Sequence, residues 1–440
     1  MWPYHPDLLS RPVPRYTSYP TATEFHDGIG ETAMEEALEM LAPGSGVSLY
    51  LHIPYCEQIC WYCGCNTGAT GRKQRLESYL GALEMEIVHL ASRLGGRVRV
   101  GRVAFGGGSP NAITPIAFAR LCDRISLHFG SPQDELSIEI DPRIFTPEWA
   151  ATLAACGVTR VSMGVQSFAE HIQQAIGRIQ PLEQVATCVE WLRAAGIDAI
   201  NFDLIYGLPR QGFADLEDTL AETVALKPSR VALFGYAHLP QLIPRQRRID
   251  ANALPGPHER FEMAAFGFEY LTGAKYVPVG FDHFALPGDS LAEAARSGCV
   301  RRNFQGFTDD SAQVLIGLGA SAISRFPDRI LQNEKNSGRY RQLIAESRLP
   351  PTRGIMLSAD DRDRSRIIED LLCRGEAFDI PQAMMDDIGS SLSPFADRGL
   401  ISMGPTHVRT REHALPYGRL IASAFDVFRA PSPANASPAI

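Results

Sequence analysis

Apolar, β-branched runs at residues 47–53, 102–105, 136–140, 160–165, 199–205 and 231–236 recur along the first half of the chain, with helix-like segments between them. Their near-continuous apolar character predicts strands covered on both faces, and Leu80, Leu83, Ile87, Leu90 and Leu94 fall at helical spacing within 77–94. Strand and helix in alternation give βαβ units, and such crossovers impose parallel pairing. Six units predict an α/β fold: a partial parallel (β/α)6-type barrel.

Each predicted strand ends in a polar or glycine-rich tip: Gly106-Gly107-Gly108-Ser109-Pro110, Glu139 and Asp141, Gln166, Asp203, and Tyr236 with His238. Helices cover the outside of such a fold and leave the carboxyl ends of the strands open, so the chemistry is expected at that rim.

The remainder divides around this barrel. Residues 1–45 read as an N-terminal strap, in which Pro14-Arg15-Tyr16-Thr17-Ser18-Tyr19-Pro20 favours a stiff, extended path. Residues 46–345 hold the barrel and an extension, which includes a Pro/Arg-rich passage at 240–257, a helix near 258–272 and a strand candidate at 276–281. Residues 346–430 read as a mainly helical C-terminal domain with winged-helix character, and 431–440 as a Pro/Ala/Ser-rich tail.

Fifty acidic against forty-two basic residues leave a net charge of −8, which withholds the phosphate attraction behind most non-specific nucleic-acid binding. No apolar stretch approaches the roughly 20 residues of a membrane span, and the first residues lack the basic and apolar regions of a signal peptide. A cytoplasmic protein without nucleic-acid or membrane partners is expected. Nine cysteines, four of them packed into residues 56–65, do not form a disulfide framework; in a reducing compartment such a cluster points first to a metal site.

Cys56-x3-Cys60-x2-Cys63 supplies three thiolates just after the first strand. A 4Fe-4S cluster takes four ligands, so three leave one iron open to a non-protein ligand. A zinc site is the weaker alternative, since no second cysteine pair or histidine pair follows. The spacing, with Tyr62 before the last cysteine, resembles the signature of the radical S-adenosylmethionine superfamily. The strings around it (residues 50–56 and 61–66), together with 14–22, Gly164-Val165-Gln166, 203–209, 236–240, 282–285 and 302–306, resemble the oxygen-independent coproporphyrinogen III oxidases.

That resemblance implies conversion of two propionates of coproporphyrinogen III to vinyl groups, giving protoporphyrinogen IX in heme synthesis. A deoxyadenosyl radical made from S-adenosylmethionine at a 4Fe-4S cluster is the implied oxidant, with two adenosylmethionine molecules bound. It assigns Cys56, Cys60 and Cys63 to the cluster, and Tyr50, Tyr62, Gly107, Gly108, Ser109, Glu139, Gln166, Arg178, Asp203, Ala237 and Ile323 to adenosylmethionine. Cys65 is expected to act in catalysis beside the cofactors. Arg15, Tyr16, Arg245, Arg247 and Arg248 are candidates for the tetracarboxylate substrate, because guanidinium groups pair bidentately with carboxylates. A low-potential electron donor of unspecified identity and a monomeric state complete the expectation. Two departures from the family pattern stand out: Ser109 replaces a threonine, and Asn111-Ala112-Ile113 replaces a polar-aromatic-apolar string. A rival reading, a heme carrier of the same superfamily, is disfavoured by Cys65, where such carriers have an aromatic residue. A radical enzyme that modifies RNA is disfavoured by the acidic balance.

Overall fold

The computed structural model describes residues 2–71 and 73–429. Its main sheet has twelve strands: β1 (Ser45–Ile53), β2 (Val98–Gly107), β3 (Glu135–Ile140), β4 (Arg160–Gln166), β5 (Ala199–Tyr206), β6 (Arg230–Gly235), β7 (Val277–Val279), β8 (His283–Ala285), β9 (Val314–Leu318), β10 (Ile323–Arg325), β11 (Arg329–Asn333) and β12 (Pro351–Met356). The six expected strands β1 to β6 are parallel neighbours in sequence order. β9 adds a seventh parallel strand on the far side of β1, and β10, β11 and β12 continue from it antiparallel. The strand order is linear, from β12 to β7, so the barrel is open.

The helices between the strands start on recognisable signals. Thr114 and Thr146 each accept a hydrogen bond from the backbone N–H three residues on, with Pro115 and Pro147 filling the first helical position, where no donor is needed. Helices Lys73–Leu94 and Pro115–Phe129 bury Leu83, Ile87, Phe118 and Leu121 against the outward strand residues Val103, Phe105, Ile138 and Ile140. Full burial of side chains of this size contributes about 1.5–3 kcal/mol each, which binds the helical layer to the sheet.

The inner face departs from the expectation of apolar strands on both sides. Along β3, buried Leu136, Ile138 and Ile140 alternate with Glu135, Ser137 and Glu139, and along β5 buried Ile200, Phe202 and Leu204 alternate with Asn201 and Asp203. The open barrel leaves space inside it, and polar side chains line that space. Towards its base lies a cavity of about 220 Å³ whose arginines are closed into ion pairs: Arg102 with Asp309 at 2.7 Å, Arg160 with Glu135 at 2.8 Å and Asp289 at 3.2 Å, and Arg230 with Asp289 at 2.7 Å.

A second core lies in the C-terminal region, where helices Ala359–Arg374 and Gln382–Ala396 pack with a small antiparallel sheet of Glu376–Ala377, Ile401–Met403 and Val408–Thr410. The first part of the expected strap is built into this core. Leu8, Leu9, Val13, Tyr16 and Tyr19 are buried there with Ile367, Leu371, Tyr417 and Phe425, and Pro6–Leu9 forms a helical turn. Helix Glu31–Glu39, further along the strap, packs into the barrel core through Met34, Ala37 and Leu38. β12 belongs to the main sheet, which therefore runs past residue 345. The expected tail at 431–440 lies outside the described residues.

Candidate active site

A cavity of about 380 Å³ opens at the carboxyl ends of β1 to β6. Lining it are Cys56, Cys60, Cys63 and Cys65, the turn Gly107-Gly108-Ser109, and Glu139, Gln166, Arg178, Asp203 and Ala237, each contributed by a different strand end or loop. Tyr62, Arg15 and Arg245 complete the wall among the predicted residues.

The cysteine loop is held flush against the glycine turn. Gly108 N–H donates to Ile53 O at 2.9 Å and Ser109 N–H to Tyr55 O at 2.8 Å. A β-carbon on Gly108 would stand 2.5 Å from Tyr55 O, and one on Gly107, whose φ is +114°, would stand 2.5 Å from the His52 ring. Only glycine permits this approach and this backbone. Asn111 pins the turn to the end of β3 in both directions, its side-chain amide donating to Asp141 O and accepting from Asp141 N–H, each at 2.9 Å. The unusual Asn111 thus has a definite structural task.

Cys56 and Cys60 are buried, Cys63 half-buried and Cys65 exposed. Burial pushes the Cys56 thiol up, whereas a hydrogen bond from the Cys65 thiol, with further support from its backbone N–H at 3.4 Å, lowers Cys63 to about 6. The sulfurs are ringed by donors: Thr67 Oγ1 and Ser109 Oγ stand 3.2 and 3.6 Å from Cys56 Sγ, and Arg178 Nη1 and Arg143 Nη2 donate to Cys60 Sγ at 3.3 and 3.5 Å. Three thiols on one wall, facing a common space and surrounded by N–H and O–H groups, suit an anionic iron-sulfur cluster, whose sulfurs accept such bonds. Among the described residues no three His, Cys, Asp or Glu side chains converge on a single-ion position.

Across the cavity, burial and then the charge of Asp203 push Glu139 up to about 7, while Gly107 N–H donates to it at 3.2 Å. Burial also raises Asp203, which accepts from Ser162 Oγ at 3.1 Å and Asn201 Nδ2 at 3.0 Å. Two neighbouring half-buried carboxylates of raised pKa, facing the cavity, call for hydroxyl or cationic partners from a ligand. Arg178 is fixed by Asp141 at 3.3 Å, Gly164 O at 2.7 Å and Gln180 Oε1 at 3.0 Å. Gln166 adopts a left-handed backbone, φ +67°, at the tip of β4, a cost of order 1–3 kcal/mol that turns its side chain into the cavity wall.

Not every predicted residue reaches the cavity. Tyr50 is not among the lining residues; its ring flanks Gly106 together with Glu139, and its hydroxyl is 3.1 Å from His52 Nδ1, where burial holds the imidazole near 4, and therefore neutral. Ile323 lies on β10, antiparallel to β9 and β11, and packs against the cluster of Phe25, Ile330 and Ile355. Tyr16 is buried in the second core, where its hydroxyl donates to Asp426 at 2.8 Å. Arg247 and Arg248 are exposed, and Arg248 lies over the Trp61 ring, 5.8 Å from its centroid.

Three supporting residues escaped the sequence reading. Arg143 grips Asp141 and reaches Cys60, and Thr67 bonds Cys56. Gln246, fully buried, donates to Tyr62 O at 2.7 Å and Ala237 O at 3.0 Å, tying the cysteine loop to the end of β6. Gln246 carried a usable signal: a single amide among Arg245, Arg247 and Arg248.

Comparison with known proteins agrees with this geometry. Residues 50–222 match the radical SAM superfamily model. The chain is 42% identical over 424 residues, 94% of each chain, to an oxygen-independent coproporphyrinogen III oxidase of Bradyrhizobium diazoefficiens, and 36% identical to the Escherichia coli protein of that name, with 94% of this chain and 93% of the relative covered. The solved structure of the Escherichia coli coproporphyrinogen III oxidase HemN, described as a radical SAM enzyme, superposes with a TM-score of 0.90 at 34% identity, covering 97% of this chain and all of that one.

Proposed function

The chain belongs to the oxygen-independent coproporphyrinogen III oxidases of the radical SAM superfamily, and from that premise we propose how its own residues serve the reaction. It is an oxidoreductase of porphyrin and heme biosynthesis, converting two propionates of coproporphyrinogen III to the vinyl groups of protoporphyrinogen IX. When bound, a 4Fe-4S cluster and S-adenosylmethionine supply the carbon radical that takes hydrogen from the substrate side chain.

Cys56, Cys60 and Cys63 hold the cluster, and Thr67, Ser109, Arg143 and Arg178 spread its negative charge through hydrogen bonds to sulfur. Gly107, Gly108 and Ser109 present backbone to the charged end of adenosylmethionine. Asp203 accepts from a ribose diol, while Glu139, Gln166, Ala237 and Tyr62 shape the rest of the enclosure. Two adenosylmethionine molecules share this wall, a reading supported by its breadth from the β1 loop to the end of β6. Tyr50 and Ile323 support the site rather than line it. Cys65, exposed beside Cys63, acts on the substrate side of the cluster. Arg15 and Arg245 meet substrate carboxylates, while Arg247, Arg248 and Tyr16 stabilise the loops and the strap that carry them.

The strap, barrel and C-terminal region work as one enclosure in a monomer, supported by the burial of strap residues in the second core. No described helix is long and apolar enough to cross a membrane. A cytoplasmic setting, a low-potential electron donor and the absence of nucleic-acid partners are part of the proposal; nine free thiols and the −8 charge support them.

The observation that carries the residue assignments is the convergence of cysteines, glycine turn and strand-end side chains on one cavity. Anaerobic assay of vinyl formation from coproporphyrinogen III tests it. Product from the reconstituted protein, lost in Cys56→Ala, Cys60→Ala and Cys63→Ala, is the expected result; tight heme binding without turnover would point to the carrier instead.

A further inference from the structure

Beside the rim cavity, and sharing Arg15, Phe234, Gly235 and Tyr236 with it, is a smaller recess of about 60 Å³ between the end of β6, the strap and the C-terminal region. Among the described residues that line it are three guanidinium groups, from Arg15, Arg260 and Arg419, and one carboxylate, Asp282. That carboxylate is already engaged, 2.7 Å from His283 Nδ1. The rest of the recess is largely aromatic, including Trp2, Phe268 and Phe281.

The arginines are placed by built features. Arg15 Nη2 donates to Gly235 O at 2.9 Å with its guanidinium over the Phe234 ring. Arg260 Nη2 donates to Tyr236 O at 2.6 Å, while its Nε is buried without a hydrogen-bond partner. Gly207, with φ +77°, makes room for that group: a β-carbon there would stand 2.9 Å from Arg260 Nε. Burial and the like charge of Arg15 pull Arg419 down to about 10, which still leaves it protonated at neutral pH. Like charges gathered in an aromatic recess repel one another, and an incoming anion relieves that repulsion.

We propose that Arg15, Arg260 and Arg419 form a carboxylate subsite that anchors a non-reacting propionate of the substrate while the reacting propionate faces the rim cavity. The recess holds a carboxylate and its methylene but not a tetrapyrrole ring, so it takes one arm of a larger molecule. The shared wall of Phe234, Gly235 and Tyr236 joins the two spaces, which lets one macrocycle reach both. This inference rests on the coproporphyrinogen reading and adds residues outside the cofactor wall.

The test is fluorescence titration with coproporphyrin III, the stable oxidised tetracarboxylate, and with its tetramethyl ester, on holoenzyme carrying Arg260→Met or Arg419→Met. Loss of one charge-assisted contact predicts a Kd for the tetracarboxylate raised about 10- to 100-fold. Ester binding and adenosylmethionine binding stay unchanged, KM rises more than kcat falls, and the lysine variants recover part of the loss. Unchanged tetracarboxylate affinity in both methionine variants overturns the subsite while leaving the reaction intact. If the wild-type holoenzyme binds no coproporphyrin and forms no vinyl product, the reaction assignment fails first and the subsite falls with it. Should either methionine variant not fold, the other decides by the same titration, and Arg260→Lys and Arg419→Lys, which keep the charge, decide if neither folds.

Discussion

The rim cavity and the basal cavity are walled by the same strands and share Glu139, Ser162, Asp203 and Phe234, yet beyond those shared residues their polar groups are handled differently. At the base, Arg102, Arg160 and Arg230 bridge Glu135, Asp289 and Asp309, three cations against three anions. At the rim, Glu139 and Asp203 are held by hydrogen bonds from Gly107, Ser162 and Asn201, and the thiols by hydroxyl and guanidinium donors. Where guanidinium groups are closed by their own carboxylates, a polar interior is architecture. One that holds carboxylates and thiols beside open space is built for a ligand.

The largest predicted contrast separates the two by function. Cys60→Ala should lose the cluster and more than about 1000-fold in turnover, a barrier change of roughly 4 kcal/mol. Asp289→Asn should retain iron and sulfide at wild-type stoichiometry. Retention of a full cluster by the cysteine variant would remove Cys60 from the ligand set.

Stability should show the reverse order. Asp289 pairs with both Arg160 and Arg230 in a nearly sealed setting, so Asp289→Asn leaves Arg160 with Glu135 alone and Arg230 with Asp309 at 3.7 Å, and should cost about 3 kcal/mol in denaturant unfolding. Asp203→Asn should leave unfolding nearly unchanged and instead weaken adenosylmethionine binding by about 1.5–3 kcal/mol, because an amide donates where a ribose hydroxyl also donates. Equal affinity in anaerobic calorimetry would return Asp203 to the architectural class.

A raised pKa alone does not mark the site, as Glu86 shows. Burial holds it up to about 7, like Glu139, although it lies in the barrel core and accepts from Tyr340 at 2.5 Å, Gly319 N–H at 2.7 Å and Asn333 at 3.0 Å. Its folded pKa lies above the ordinary 4.5, so the stabilisation its proton brings is whole below pH 4.5 and is lost as pH rises through 7. Glu86→Gln should flatten the fall in Tm across that window and cost about 1–3 kcal/mol, since its amide must face donors. An unaltered pH profile in the variant would show that Glu86 does not titrate there.

Sequence carried the parallel core because outward strand positions are apolar without interruption: Val161, Met163 and Val165, or Ile200, Phe202 and Leu204, announce strands beneath helices. The inward positions obey a different demand, set by the width of an open barrel, and local pattern does not state that width. The cysteine loop, the glycine turn, Glu139, Gln166 and Asp203 were legible through motif and position at strand ends, whereas Arg178 and Ala237 came from the family resemblance. Ile323 and Tyr50 were assigned by resemblance alone, and their placement depends on the turn from β9 into β10 and on packing against His52. The strap was legible as stiff, but its partners, among them Asp426 and Tyr417, lie some four hundred residues away.

That strap supplies the smallest contrast, between adjacent residues. Tyr16 has φ +48°, a left-handed turn that sends Arg15 towards Gly235 and Phe234 at the rim while Tyr16 itself enters the second core. The turn is held in place: Arg302 donates to the carbonyls of both Arg15 and Tyr16, at 3.0 and 2.9 Å. Tyr16→Phe removes the 2.8 Å bond to Asp426 but keeps the ring, so it should cost about 0.5–1.5 kcal/mol in unfolding and leave KM for coproporphyrinogen unchanged. Arg15→Ala should do the opposite, raising KM with little effect on stability, because its side chain is exposed. If Tyr16→Phe raises KM as Arg15→Ala does, the two residues act together on substrate and the division of the strap into an anchored face and a substrate-facing one is lost.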